Sequence, residues 1–218
     1  MLVLASSSPR RAMLLRQAGY SFEIVKASVS EVLSQGMEPK AGVRELALRK
    51  AKAGLTHWLN QGGNLQDVVM GADTMVVLDA HILGKPETQA EAEETLQSLS
   101  GRTHLVLTGV ALISGSGTMV SEVVETVVRF YQLEVKDIKA YVASGEAMDK
   151  AGAYGIQGQA RKFVESFEGS LTNVIGLPME YLSETLRAWG IEHTNIASRE
   201  VDDELFTFEG FTRGPAST

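Results

Sequence analysis

The chain has 218 residues, 44% of them apolar and 22% charged, which suits one large domain or two closely packed lobes around a real core. Its net charge of −7 argues against a general nucleic-acid or anionic-membrane surface, although a small phosphate ligand needs only a local positive pocket. The absence of cysteine excludes disulfides, cysteine-based zinc sites and thiol nucleophiles, and the four histidines (His57, His81, His104, His193) lack metal-ligand spacing.

Any metal is therefore expected to be a hard ion held by oxygens, such as Mg²⁺ or Mn²⁺. No basic segment precedes a long apolar region at the N-terminus, so no signal peptide is expected. The longest apolar runs, 105–113 and 75–78, are too short and interrupted to span a bilayer. A cytoplasmic protein follows as the expectation.

Residues 2–5, Leu-Val-Leu-Ala, read as a short buried strand broken by Ser6, Ser7 and Ser8. Ser8 is a good helix N-cap, and Pro9 suits the first helical position because it has no N–H to leave unpaired. The helix continues through Met13, Leu14 and Ala18 to Gly19. Arg10 and Arg11 thus fall in the first turn, at the positive end of the helix dipole, where cations are disfavoured. Beside free backbone N–H groups and three hydroxyls, a doubled arginine makes sense if a phosphate chain binds. The alternative is a solvated arginine pair on a surface helix.

Residues 22–25 look like a second strand, and 28–40 like a polar loop carrying Glu31. A helical pattern runs from about 43 to 59 with Leu46, Ala47, Ala51, Leu55 and Trp58 on one stripe. Lys50 lies near that stripe. Spacing alone favours a lysine whose stem covers apolar surface while its head reaches water.

Residues 68–79 are strand material interrupted by Gly71-Ala72-Asp73-Thr74. A glycine there suggests a bulge or a close approach. Asp73 has apolar residues on both sides, and a buried carboxylate is costly unless paired, hydrogen-bonded or metal-bound. It could be a structural acceptor at a strand end, but its isolation favours function. Residues 81–86 read as a turn that places Lys85, and 87–98 as an amphipathic helix. Residues 104–113 and 119–130, joined by Ser-Gly-Ser-Gly, are the strongest hairpin signal. A short helix spans 136–143. Four glycines between 145 and 158 forbid a stable helix there and permit close backbone approach to a ligand, with Asp149, Lys150 and Gln157 as polar groups. A strand at 163–167 and a helix from Gly176-Leu177-Pro178 to Trp189 complete the pattern. The domain is set at 1–193. Residues 194–218 form an acidic extension with Phe206, Phe208 and Phe211, read either as a mobile tail or as a segment docked by those aromatics.

These segments together resemble the Maf family of nucleoside triphosphate pyrophosphatases. The resemblance is carried by Ala5-Ser6-Ser7-Ser8-Pro9-Arg10-Arg11, Gly71-Ala72-Asp73-Thr74, Gly84-Lys85-Pro86, Leu99 to His104 and Thr108-Gly109-Val110. Ser144-Gly145-Glu146, Asp149 to Gly158 and Asn173 to Pro178 continue it in the family's order, over about residues 2–189. It implies an α/β fold, elongated and two-lobed in the Maf/ITPase-like manner, with a curved mixed sheet flanked by helices and a central cleft.

The resemblance also implies hydrolysis of dTTP, UTP and modified pyrimidine nucleotides to monophosphate and pyrophosphate, with Mg²⁺ or Mn²⁺, limiting non-standard nucleotides. Ser6, Arg10, Arg11, Lys50 and Lys85 would bind phosphate, which reverses the spacing-only reading of Lys50. Asp73 would be the base that activates water, a metal ligand, or both, and Glu31 would join it at the metal. Arg10, Thr74 and Gln157 would select the base. The implied partner is the triphosphate substrate, with no nucleic acid or membrane; a homodimer is compatible. The alternatives are a 7-methyl-GTP pyrophosphatase of the same family and a nucleotide-binding regulator of cell division or septum formation.

Overall fold

The opening apolar run forms β1 (Leu2–Ala5), and Pro9 begins α1 (Pro9–Gln17), as the sequence predicts. Gly19 ends the turn after α1 with φ of 80°, a conformation that favours glycine. The computed structural model describes residues 1–193, so the expected extension at 194–218 lies outside the described residues.

Among the described residues seven strands form one mixed sheet in the order β2-β1-β3-β5-β6-β7, with β4 also on β3. They are β2 (Phe22–Val25), β3 (Val68–Leu78), β4 (His81–Leu83), β5 (Thr103–Ser114), β6 (Met119–Phe130) and β7 (Val164–Glu168), in addition to β1. β1 is parallel to both β2 and β3, while all other pairs are antiparallel. The helices after α1 are α2 (Pro39–Asn60), α3 (Gln89–Leu99), α4 (Val135–Ala143), α5 (Leu171–Ile175) and α6 (Met179–Ala188). Among the described residues, no helix is long and apolar enough to cross a membrane.

Side-chain alternation along β3 divides the molecule. Val68, Met70, Ala72, Val76 and Leu78 enter the larger core, which also takes buried residues from α1, α3, α4 and α6. Met75 and Val77 pack on the other face with Val43 and Leu46 of α2. Asp73 belongs by register to the α2 face and Thr74 to the opposite one.

β3 is continuously paired with β5 from Val68 to Val77, so Gly71 marks no bulge. It marks a close approach instead. A Cβ at Gly71 would stand 2.3 Å from the Ala47 carbonyl oxygen and 2.4 Å from the Ala51 nitrogen. Gly109 on β5 would meet the Val43 carbonyl oxygen at 2.5 Å. These two glycines let α2 lie directly on the sheet, which fixes Lys50 over Asp73. Gly71→Ala is therefore expected to lower stability by about 2–3 kcal/mol, because backbone cannot move aside as a side chain can. Gly84→Ala, in open space, should leave the urea midpoint where it is. Equal midpoints for the two variants would contradict this packing.

Besides two short 3-10 helices at Ala151–Ala153 and Gln159–Phe163, three elements differ from the sequence expectation. α2 starts at Pro39, not near residue 43, because Pro39 occupies its first turn just as Pro9 does in α1. Residues 81–83 form a strand, not a turn, because Asp79 and Ala80 take φ of 49° and 65° and close a tight hairpin onto β3. α5 was not expected at all.

Candidate active site

β1 covers only Val68–Met70 of β3, and β4 covers only Val76–Leu78 on that same edge. Between them the edge of β3 at 71–75 has no strand beside it among the described residues. Because β1 and β2 run parallel, their carboxyl ends also open here, the usual place for a ligand in an α/β sheet. A cleft of about 640 Å³ fills this gap. It is lined by Ser6, Arg10, Arg11, Glu31, Lys50, Asp73, Thr74, Lys85 and Gln157, so all nine residues predicted from sequence meet in one place.

Ser8 is the N-cap of α1, but its side chain makes no capping bond; its backbone N–H instead donates to Ser6 Oγ at 3.2 Å. Consecutive residues on a helix point about 100° apart, so the two arginines diverge. Arg10 is partly exposed and its Nη1 lies 3.0 Å from Asp149 Oδ2. Arg11 is 8% exposed, and each of its three nitrogens makes one hydrogen bond, which leaves two of its five N–H groups for a ligand. Its Nε donates to the Gly176 carbonyl at 2.9 Å, Nη1 to Ser6 Oγ at 3.2 Å and Nη2 to Thr74 Oγ1 at 3.1 Å. All three acceptors are neutral. Burial lowers the Arg11 pKa, opposed by the field of Asp73 and assisted by Arg10.

Lys50 Nζ lies 2.6 Å from Asp73 Oδ1 and 2.7 Å from Glu31 Oε1. Asp73 is 8% exposed, whereas Glu31 sits on an exposed loop. The hydrogen bond from Lys50 is the chief cause that holds the Glu31 carboxyl below its usual pKa; partial burial opposes it, and the charges of Lys50, Lys85 and Arg11 add to it. Lys50 therefore points into the cleft, as the resemblance implied and spacing did not. Lys85 is exposed and makes no ion pair or hydrogen bond among the described residues.

Asp149 joins the rim. Burial raises its pKa, but hydrogen bonds from Lys150 and Arg10 outweigh that and leave it lowered. Among the described residues the lining holds five cations (Arg10, Arg11, Lys50, Lys85, Lys150) against three carboxylates (Glu31, Asp73, Asp149). The cleft is thus net positive in a chain of net charge −7, the local arrangement a small polyanion requires.

Several contributors were missed in the sequence. Thr108 on β5 faces Thr74 across the strand register, with the two hydroxyl oxygens 3.0 Å apart. Asn173 of α5 is fully buried and ties β5 to β6 through Val106 O and Thr126 Oγ1. Tyr154 lines the cleft wall, and its hydroxyl lies 2.7 Å from His104 Nε2. Burial pushes His104 down to about 4, so its ring is neutral at pH 7. Thr108 and Asn173 stood inside the recognised motifs, but only the strand register shows which hydroxyl meets which.

A family model described as Maf-like protein matches residues 1–189. The chain belongs to the Maf-like family. A dTTP/UTP pyrophosphatase of Desulfitobacterium hafniense (strain Y51) is 56% identical over 212 residues, covering 97% of this chain and 96% of the relative. A dTTP/UTP pyrophosphatase of Symbiobacterium thermophilum is 48% identical over 87% of this chain and 94% of its own length. One from Bacillus cereus (strain AH820) is 44% identical over 89% and 98%. The match to the Maf-like model spans every element from β1 to α6, and so the whole cleft.

Proposed function

We propose that this protein hydrolyses dTTP and UTP, and modified pyrimidine relatives, to the monophosphate and pyrophosphate. The observation that carries the reading is Arg11, a buried guanidinium whose hydrogen-bond partners are all neutral, facing the Lys50, Glu31 and Asp73 group across one cleft. Such a charge is stabilised when an anion arrives. The names of the relatives, all dTTP/UTP pyrophosphatases, narrow that anion to a pyrimidine triphosphate and favour it over 7-methyl-GTP.

Water attacks phosphorus at the α–β anhydride. One P–O bond forms, the bridging P–O bond breaks, the proton goes to the Asp73 carboxylate and pyrophosphate leaves. The transition state spreads charge over phosphoryl oxygens, so positioning and cations do most of the catalysis. Arg11 and Arg10 grip phosphates from the α1 side, Lys85 from the turn after β4. Lys50 orients Asp73.

The donor set suits a divalent ion of the Mg²⁺ or Mn²⁺ kind. Glu31 and Asp73 already converge on one cation, the Lys50 ammonium, and both offer hard oxygens. Among the described residues no cluster of three or more His, Asp or Glu could hold a metal alone, so the remaining ligands would be substrate phosphates and water. Held by Glu31 and Asp73, such an ion would neutralise phosphoryl charge and acidify water.

Base choice falls to Gln157 and Thr74. Gln157 is exposed in the cleft and makes no hydrogen bond among the described residues, so its amide is available as donor and acceptor to a pyrimidine edge. A nucleotide panel with Mg²⁺ or Mn²⁺, scored for pyrophosphate, tests the reading. dTTP and UTP should be cleaved well and dATP and dGTP poorly, and Gln157→Ala should narrow the UTP-to-GTP ratio of kcat/KM more than it lowers overall activity. Release of orthophosphate in place of pyrophosphate, or binding without release, would overturn it.

A further inference from the structure

A chain of hydrogen-bonded hydroxyls runs from the cleft into the core and fixes what Thr74 can offer a substrate. Thr108 is fully buried, and its Oγ1 lies 3.0 Å from the Asn173 carbonyl oxygen. A carbonyl only accepts, so the single hydroxyl proton of Thr108 is committed there. The Thr74–Thr108 contact at 3.0 Å must then be made with the proton of Thr74. Arg11 Nη2 donates to Thr74 at 3.1 Å, and a guanidinium cannot accept. The chain therefore runs one way, from Arg11 to Thr74 to Thr108 to Asn173.

Thr74 is only partly buried and lines the cleft. Its proton is used, and one of its two lone pairs is taken by Arg11. The capacity left to this cleft-lining residue is the other lone pair, an acceptor. Ionised phosphate oxygens are acceptors too and are not matched by it.

We propose that Thr108 is a positioning residue that fixes Thr74 as an obligate acceptor, so that Thr74 selects a base with an N–H donor, the N3–H of uracil or thymine, against cytosine, whose N3 only accepts. This rests on the dTTP and UTP reading above and deepens it by naming the residue that enforces the preference. Sites that hydrogen-bond a substrate group reject analogues that lack it, because a buried polar group is left unpaired. Thr108 touches no substrate in this arrangement; it acts through Thr74.

Thr108→Val keeps the side-chain shape but frees the proton of Thr74 to turn toward the cleft. The Asn173 carbonyl is not left unpaired, because the Gly176 N–H also donates to it at 3.0 Å. The experiment measures kcat/KM for UTP and CTP in the wild type, Thr108→Val and Thr108→Ser. The wild type should prefer UTP. Thr108→Val should reduce the UTP-to-CTP ratio about tenfold, the order of one hydrogen bond, and Thr108→Ser should restore it. Loss of activity on both nucleotides by the same factor would mark Thr108 as merely structural and overturn the proposal.

Should Thr108→Val fail to fold, Thr74→Val serves. It should lose UTP hydrolysis more than CTP hydrolysis, and an unchanged ratio overturns the proposal equally. A wild type that releases no pyrophosphate from UTP or dTTP defeats the functional reading itself. A wild type that does, with a ratio unmoved in the variants, defeats only the role of Thr108.

Discussion

Asp73→Asn is expected to lower turnover by about 10²-fold or more, with a much smaller change in KM. Asp73 sits in the middle of β3, buried against α2, where an ionised carboxylate is tolerated because Lys50 donates to it at 2.6 Å. Asparagine keeps the volume and still offers Lys50 an acceptor, so α2 and the cleft should keep their shape. What it cannot do is take a proton from water. The loss should therefore fall on kcat, seen as slower pyrophosphate release in a single turnover at saturating nucleotide. A variant that folds normally and hydrolyses UTP at nearly the wild-type rate would remove Asp73 from the base position. Glu31 would then be the carboxylate to test, since it shares the same lysine.

The elements nearest the chemistry were legible because punctuation surrounds them. The Ser-Ser-Ser-Pro run after Leu2–Ala5 marks both the end of β1 and the start of α1, and an isolated acid in an apolar strand marks Asp73. Elements without such signals were not legible. α5 is five residues long, too short for a helical period to show. β4 follows an Asp-Ala turn, which lacks the glycine that usually announces a tight hairpin. Fold class and motif order came through, whereas the gap between β1 and β4 that makes the cleft depends on which edge of β3 each strand takes, and no local pattern specifies that.

Adjacency in sequence also concealed a difference in role. Arg10 and Arg11 read as a pair, yet one faces the rim and the other the interior. Lys50 misled in the opposite way. Its spacing suits a snorkelling surface lysine, and it is two small residues on the sheet, Gly71 of β3 and Gly109 of β5, that bring α2 close enough to set it over Asp73.

Arg11→Met is expected to separate stability from function. The native guanidinium has lost its water shell and is bonded to the Gly176 carbonyl and two hydroxyls, none of which carries charge. Burial is the largest influence on it, and the carboxylates that favour its charge, Asp73 and Glu31, act through space and not by contact. Replacing such a charge by an apolar chain of similar length removes a desolvation penalty, while leaving three acceptors with one partner fewer. The two effects oppose each other, so the unfolding free energy should change by no more than about 2 kcal/mol in either direction. Turnover should fall by about 10²–10³-fold, the usual cost of deleting a preorganised group that meets developing phosphoryl charge. The measurement that decides between a ligand site and a structural arginine is linkage. Pyrophosphate should raise the Tm of the wild type, because it binds the folded state alone, and should leave the Tm of the variant unmoved. A variant that keeps both the pyrophosphate-dependent shift and its activity would show that the buried charge serves only to join α1 to the turn at Gly176.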